Sequence, residues 1–381
     1  MREMLSGTKV GLMLGARQVG KTTLLKHVLS GANAEFLNFD IEFDKHRFMA
    51  AASLPPVDAM ASFGNPEVLV CDEAQRLPET ARIVKGWHDY GLPVTFLLLG
   101  SSSLDLLSQS AEALTGRNRK LHLPPLLFGE ILAAQSWHRK GYTENMLLEH
   151  FSEQIRSLLI TTMVFGSYPE VVTDVDKQSV LDSLCADYLW KDVLQAGLVK
   201  TPDLIKKLLL LLAHQAGSEV SVNELATQLH MAHATVERYL ELLEQTFVIF
   251  RLPSFSTNPR KEIAKSRKIY FWDTGIRNAL LRAYSTHEMR SDIGSLWESW
   301  CIAEVAKLNM LAGYPSELFF WRTRAQSEVD LVVKRGENIK AFEVKWGRRP
   351  KPSRAFYSAY GVETEALTPE NPFTLNAIVG G

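Results

Sequence analysis

The sequence predicts an α/β protein of several domains. Three observations carry that prediction. A glycine-rich loop sits between an apolar strand and a helix near the start. A helix-turn-helix pattern with a following strand lies in the middle. A helix, strand, strand, strand order bearing acids comes near the end. At 381 residues the chain is too long for one ordinary core, so two or three domains are expected. Its formal net charge of -1 excludes a global field toward nucleic acid or membrane, and any electropositive surface must be local. The three cysteines, Cys71, Cys185 and Cys301, lie far apart in apolar contexts. They suit buried thiols in a reducing compartment, not a disulfide framework or a thiolate metal site. "LIKKLLLLLAHQ" (204–215) is short and holds lysines, so it does not span a bilayer. The apolar run near the N-terminus reads as a first strand and not as a signal peptide. A cytoplasmic protein with no membrane partner is the expectation.

The first strand is Val10–Leu14. After it comes Gly15-x-x-x-x-Gly20-Lys21-Thr22-Thr23, then a helical pattern. This is a phosphate-binding loop in its strand–loop–helix setting. Gly15 and Gly20 let backbone N–H groups turn inward. Lys21 is suited to β/γ-phosphates, Thr22 to Mg²⁺, and Thr23 opens the helix whose N-terminus favours anions. A chance glycine-rich turn is the bland alternative, and the full pattern weighs against it. "EVLVCDEAQRLP" is a second apolar strand ending in Asp72-Glu73. Asp72 is the expected Mg²⁺ partner and Glu73 the expected base toward water, against the plainer reading of an acidic strand cap. A strand over 94–103 ends in a small polar run, where Ser101 or Ser102 is a candidate sensor of the γ-phosphate, against ordinary Gly-Ser turn chemistry. A further strand is expected over 33–44. Arg117 and Arg119 read as a loop, either a finger on a neighbouring subunit's nucleotide or a solvated basic turn.

From 145 to about 212 the pattern is mostly helical. "SVNELATQLHMAHATVERYLELLEQTFVIFRL" then gives a helix-turn-helix and the start of a wing, capped at Ser221 and with Ala226, Leu229, Val236, Leu240 and Leu243 inward. Its second helix carries Glu237, Glu241 and Glu244 against Arg238, which favours packing on protein over reading bases. The stretch 251–270 has six Arg/Lys and one acid. Arg260, Lys261, Lys265, Arg267 and Lys268 are candidates for a phosphate backbone, as is the Arg348–Arg354 stretch; a solvated linker is the alternative.

Near the end, a helix over 292–314 holds Glu298 and Glu304, and strands follow with Asp330 and then Glu343 and Lys345. Glu343 and Lys345 share one strand face, because the strand period is two. Asp330 and Glu343 form a candidate metal pair, Lys345 a candidate to orient water and offset phosphate charge, and Glu298 a completing acid. The competing reading is a salt-bridged hairpin edge. The sequence divides into 1–140, a nucleotide domain; 141–204, a helical lid or linker; 205–256, a winged helix-like module; and 257–381, an α/β core.

These pieces together resemble a prokaryotic family of AAA-type P-loop ATPases with a C-terminal domain of unknown function. The matching stretches are "GARQVGKTTLL", "DEAQRLP", "LLLGSSS", "LTGRNRKLHLPPLLFGE", "ATVERYLELLE", "KSRKIYFWDTGI", "GSLWESWCIAE", "FWRTRAQSEVDLVV" and "AFEVKWG". The resemblance implies an AAA-type domain, a winged helix and a restriction-endonuclease-like core. It implies ATP and Mg²⁺ through Lys21, Thr22, Asp72 and Glu73, and cleavage roles for Glu298, Asp330, Glu343 and Lys345. DNA and a second copy of the chain are the implied partners. An ATP-dependent switch on an inert nuclease-like scaffold, or a winged-helix regulator, are the alternative functions. Family members usually carry a few dozen residues before the first strand. Here the loop begins at Gly15, so weaker adenine contacts than phosphate contacts are expected.

Overall fold

The computed structural model describes residues 5, 8–100, 114–195, 202–256, 267–288, 290–347 and 352–379. They fall into two compact units, Met1–Pro124 with Gln245–Phe247, and Pro125–Glu244 with Val248–Gly381. The four-part division expected from the sequence stands beside this grouping as a proposal about modules.

In the first unit, β1 (Val10–Leu14), β2 (Ala34–Asn38), β3 (Val68–Asp72), β4 (Thr95–Gly100) and β5 (Asn118–His122) make one parallel sheet in the order β2-β3-β4-β1-β5. Helices α1 (Lys21–Val28), α2 (Glu42–Ala52), α3 (Pro56–Ser62) and α4 (Thr80–Asp89) connect them. Alternate residues divide between two cores. Val10, Leu12, Leu14, Leu69, Cys71, Phe96 and Leu98 join one, and Met13, Val68, Val70, Leu97 and Leu99 join the other with Leu25 of α1. Burial on both faces is why these strands read as unbroken apolar runs. The strand expected over 33–44 stops at Asn38, because the Asn38 N–H donates to Asp44 Oδ2 (2.9 Å) and the chain turns into α2. The loop expected around Arg119 is strand β5, paired with β1.

The second unit opens with α5 (Phe128–Ala133), α6 (Glu144–His150), α7 (Ser152–Phe165), α8 (Pro169–Thr173), α9 (Lys177–Gln195) and α10 (Pro202–His214). Then come β6 (Glu219–Val220), α11 (Val222–Leu229), α12 (His233–Gln245), β7 (Ile249–Pro253) and β8 (Arg267–Phe271), whose strands pair antiparallel as β6-β8-β7. Ser221 caps α11, its Oγ accepting from the Glu224 N–H (3.3 Å), and Ala226, Leu229, Val236, Leu240 and Leu243 are buried. Next are α13 (Thr274–Leu281), α14 (Ile293–Leu311), β9 (Glu317–Arg322), β10 (Glu328–Arg335), β11 (Asn338–Val344), α15 (Arg354–Tyr360), β12 (Thr364–Leu367) and α16 (Thr374–Val379). The sheet order is β12-β11-β10-β9, antiparallel except for the parallel β11–β12 pair. Gly336 and Glu337 turn β10 into β11, with Gly336 at φ +59°, the left-handed region such two-residue loops require. α14 is buried almost all round. Its Leu296, Trp297, Trp300, Cys301 and Val305 share one core with Leu331, Val333, Phe342 and Val344 of the sheet and with Phe128, Leu159 and Met163 of the helices.

Candidate functional site

The parallel sheet brings the C-terminal ends of its strands to one edge, with Leu14 registered beside Gly100 and His122, and Asn38 beside Asp72. The loop after β1 begins there. A Cβ on Gly15 would meet the Leu123 carbonyl oxygen at 2.2 Å, so only glycine fits. Gly20 caps α1 at φ 92°, a left-handed conformation that also favours glycine. Lys21, 6% exposed, donates from Nζ to the carbonyls of Gly15 (2.9 Å) and Ala16 (2.8 Å). The ammonium therefore lies along the loop. Thr22 Oγ1 donates to Asp72 Oδ2 at 2.5 Å, joining the loop helix to the end of β3. Thr23 is exposed on α1.

Asp72 is buried, and its Oδ1 accepts from the Glu73 N–H (2.9 Å). Glu73 sits at φ 51°, ψ 39°, unusual for a residue other than glycine. Burial raises its carboxyl above its ordinary value, while the charges of Lys21 and Arg17 pull it down. Gln75 Nε2 donates to Glu73 Oε2 (2.6 Å), a partner that sequence reasoning missed although "DEAQ" spells it. Ser101 and Ser102 lie outside the described residues. Arg117 and Arg119 stand at the other end of β5: the Val10 N–H donates to the Arg117 carbonyl, and Arg119 is registered with Gly11. Arg117 Nε is 2.7 Å from Asp89 Oδ1.

The acids of the second unit gather differently. Asp330 is buried, and its Oδ2 accepts from the Val344 N–H (2.8 Å) and from Lys345 Nζ (3.0 Å). Glu343 Oε2 lies 3.9 Å from the same ammonium. The two acids come together one step beyond the Leu331↔Phe342 register pair. Burial and the Asp330 charge push the Glu343 carboxyl up, against Lys345. Burial pushes the Lys345 ammonium down, but the charge and hydrogen bond of Asp330 together with the charges of Glu343 and Glu298 carry the net shift up.

Glu298 makes its own bonds elsewhere, although its charge and those of Asp330 and Lys345 act on one another. Among the described residues, no group of three or more His, Cys, Asp or Glu comes together so as to hold a metal ion. Glu298 Oε1 instead accepts from Tyr270 OH (2.8 Å) and Lys268 Nζ (3.2 Å), both on β8. Burial raises the Glu298 carboxyl, with Lys268 pulling against it. Lys268 is likewise no free phosphate ligand: it is 3% exposed, and its Nζ is also 2.5 Å from Glu328 Oε1. β8 is buried on both faces from Lys268 onward, which a count of basic residues does not register. Arg267 and Arg354 are exposed; Arg260, Lys261, Lys265 and 348–351 lie outside the described residues. Glu304, the other helix acid, is structural. It pairs with Lys307 (2.6 Å), and its Oε1 accepts from the Phe128 N–H (2.6 Å). On the helix pair, Glu237 and Glu244 both bind Arg251 of β7, so this acidic face is taken up by packing.

Residues 7–132 match the model of a family described as an AAA domain. Residues 156–287 and 293–374 match two domains of unknown function, DUF8612 and DUF4143. An uncharacterised protein of Mycobacterium tuberculosis is 30% identical over 372 residues, covering 94% of this chain and 75% of that protein. A counterpart in Mycobacterium bovis gives the same figures. An uncharacterised protein of Methanocaldococcus jannaschii is 26% identical over 351 residues, 88% of this chain and 74% of its own length. Among solved structures, a signal transduction ATPase with numerous domains and a tetratricopeptide repeat sensor, from Pyrococcus horikoshii, aligns over 81% of this chain. The alignment spans 44% of that chain at 10% identity, with a TM-score of 0.28, too low to argue from. Among the described residues, no helix is long and apolar enough to cross a membrane.

Proposed function

Because the chain belongs to the family that joins an N-terminal AAA domain of the P-loop ATPase type to the C-terminal domain DUF4143, we propose that it binds and hydrolyses ATP with Mg²⁺ in its first unit. The observation that carries this reading is the 2.5 Å bond from Thr22 Oγ1 to Asp72 Oδ2 at the mouth of the loop. Two oxygens from distant segments converge there. Mg²⁺ in such sites takes one or two protein ligands and otherwise water and phosphate oxygens, which fits this pair. When bound, the ion offsets charge on the phosphates. The loop N–H groups and Lys21 hold the β/γ-phosphates, and Glu73 accepts a proton from the attacking water. The left-handed backbone at Glu73 costs about 1 kcal/mol, and such strain tends to persist at sites that use it. Phosphate release from ATP by the full chain should require Mg²⁺ and stop with EDTA. Absence of turnover with Mg²⁺ present would overturn the reading.

Arg117 and Arg119 lie away from their own loop, so a role at nucleotide falls to a neighbouring copy. On this reading ATP promotes self-association, and one of the two arginines reaches the neighbour's γ-phosphate. Sedimentation with a non-hydrolysable analogue should show a larger species; an active monomer at every concentration would exclude it.

A second reading concerns Asp330, Glu343 and Lys345, and its support is the single ammonium within 3.0 and 3.9 Å of the two carboxylates. Two such acids suit one divalent ion, and Lys345 suits a phosphate oxygen, as in phosphodiester cleavage. Exposed Arg267 and Arg354 would add to a DNA path. An inert scaffold under an ATP-driven switch is the alternative. Cleavage of branched, single-stranded or duplex DNA with Mn²⁺, lost in Lys345→Ala, separates the two.

A further inference from the structure

Lys268 is an unusual side chain to find where it is. It lies on β8, the middle strand of the β6-β8-β7 sheet, is 3% exposed and reaches carboxylates of two other elements. Its Nζ stands 2.5 Å from Glu328 Oε1 of β10 and 3.2 Å from Glu298 Oε1 of α14. It also lies 5.5 Å from the ring centroid of Phe320 on β9. Tyr270, two residues on and on the same strand face, donates to the same Glu298 oxygen at 2.8 Å. The flanking bonds run the same way. Arg322 of β9 pairs with Glu219 of β6 (3.0 Å), and the Phe255 N–H donates to the Phe320 carbonyl (2.6 Å). Leu252, Tyr270, Ile302 and Phe320 form the apolar floor beneath.

We propose that Lys268 is the built-in cation of this acidic cluster: its ammonium occupies, between Glu298 and Glu328, the position a divalent ion would need, and it clamps the β6-β8-β7 sheet to the β9–β12 sheet. The consequence is a division of labour among the four acids. Glu298 and Glu328 are closed to metal by a residue of the chain itself. Any ion the unit accepts is confined to Asp330 and Glu343. The resemblance to nucleases would recruit Glu298 as a fourth participant. The geometry does not fit that, since Tyr270 and Lys268 hold its Oε1 toward β8. An ammonium and a metal ion meet the same need here: Glu298 and Glu328 are partly buried (side chains 19% and 31% exposed), and a carboxylate pair drawn out of water is costly without a positive charge between its members. Removing one member of a buried pair leaves the other uncompensated, which destabilises strongly.

The test is a set of melting curves on the full chain, with and without about 5 mM Mn²⁺ at matched ionic strength. Lys268→Met should melt about 6–12 °C below wild type without metal. Mn²⁺ should restore most of that loss, because the vacated position lies between two carboxylates. The restoration should survive in Lys268→Met/Asp330→Ala and vanish in Lys268→Met/Glu298→Gln. This separates the proposal from the Asp330–Glu343 reading, whose own metal response, in wild type, is lost with Asp330→Ala. Should Lys268→Met not fold, Lys268→Met/Glu298→Gln removes one charge of each sign. Its recovery as a folded protein would then support the pairing. A Lys268→Met protein that melts with wild type would overturn the clamp. So would a loss that Mn²⁺ leaves untouched, or a double variant with the two single losses simply added.

Discussion

Both units set lysines among acids, and they do it in opposite ways. In the first, Lys21 lies on the carbonyls of its own loop and Asp72 takes the hydroxyl of Thr22. In the second, Lys345 and Lys268 bond carboxylates directly, at 3.0 Å to Asp330 and 2.5 Å to Glu328. The first arrangement sets an ammonium and a carboxylate where the loop after β1 meets the end of β3. The second spends its cations on its own anions. The same residue types therefore point to a site of chemistry in one unit. In the other they point chiefly to a charge-balanced joint, with Lys268 on one carboxylate pair and Lys345 on the other.

The comparison breaks first, and most heavily, at Lys21. Lys21→Ala should lower ATP turnover by about 10³-fold or more and weaken nucleotide binding, because phosphate charge loses its main partner. Steady-state turnover equal to wild type would mean that the first unit is no more a catalytic site than the second. A smaller effect is expected from Gly15→Ala. The new Cβ would fall 2.2 Å from the Leu123 carbonyl oxygen. The loop must shift to make room, at a cost of about 1–3 kcal/mol, read as a lower melting temperature of the first unit. An unchanged melt would show that the loop is looser than its geometry. The smallest effect belongs to the second unit. Mn²⁺ at millimolar concentration should raise the melting temperature of the wild-type chain by a few degrees, on the order of 1 kcal/mol, and Asp330→Ala should erase that rise. No heat in a calorimetric titration and no thermal shift would leave the second unit a scaffold throughout.

The two units also differ in how far they could be read from the residues alone. The loop was legible because its parts are contiguous: an apolar strand, two glycines with steric reasons to be glycine, and a helix start, all within 10–28. Asp72 and Glu73 followed from the end of another buried strand. In the second unit, the hairpin carrying Asp330, Glu343 and Lys345 was equally legible, by the period of two and the Gly336 turn. What surrounds it was not. Lys268, Tyr270 and Glu298 come from separate elements, and the pairing of a basic-stretch lysine with a helix acid leaves no trace in local pattern. The same limit applies to Glu73, whose partner Gln75 sits two residues away but whose contact depends on a left-handed backbone. β2 stopped short of the expected strand because a side-chain bond from Asp44 turned the chain, a tertiary decision that apolar periodicity does not report.

The central claim is that Asp72 and Thr22 hold while Glu73 acts, and one variant separates those roles. Glu73→Gln keeps the shape of the side chain and removes its basicity. Nucleotide binding and single-turnover hydrolysis should be measured on the same preparation with Mg²⁺. The account predicts ATP bound about as tightly as by wild type and cleaved about 10²-fold or more slowly. Loss of binding in parallel with hydrolysis, or hydrolysis at the wild-type rate, would contradict it.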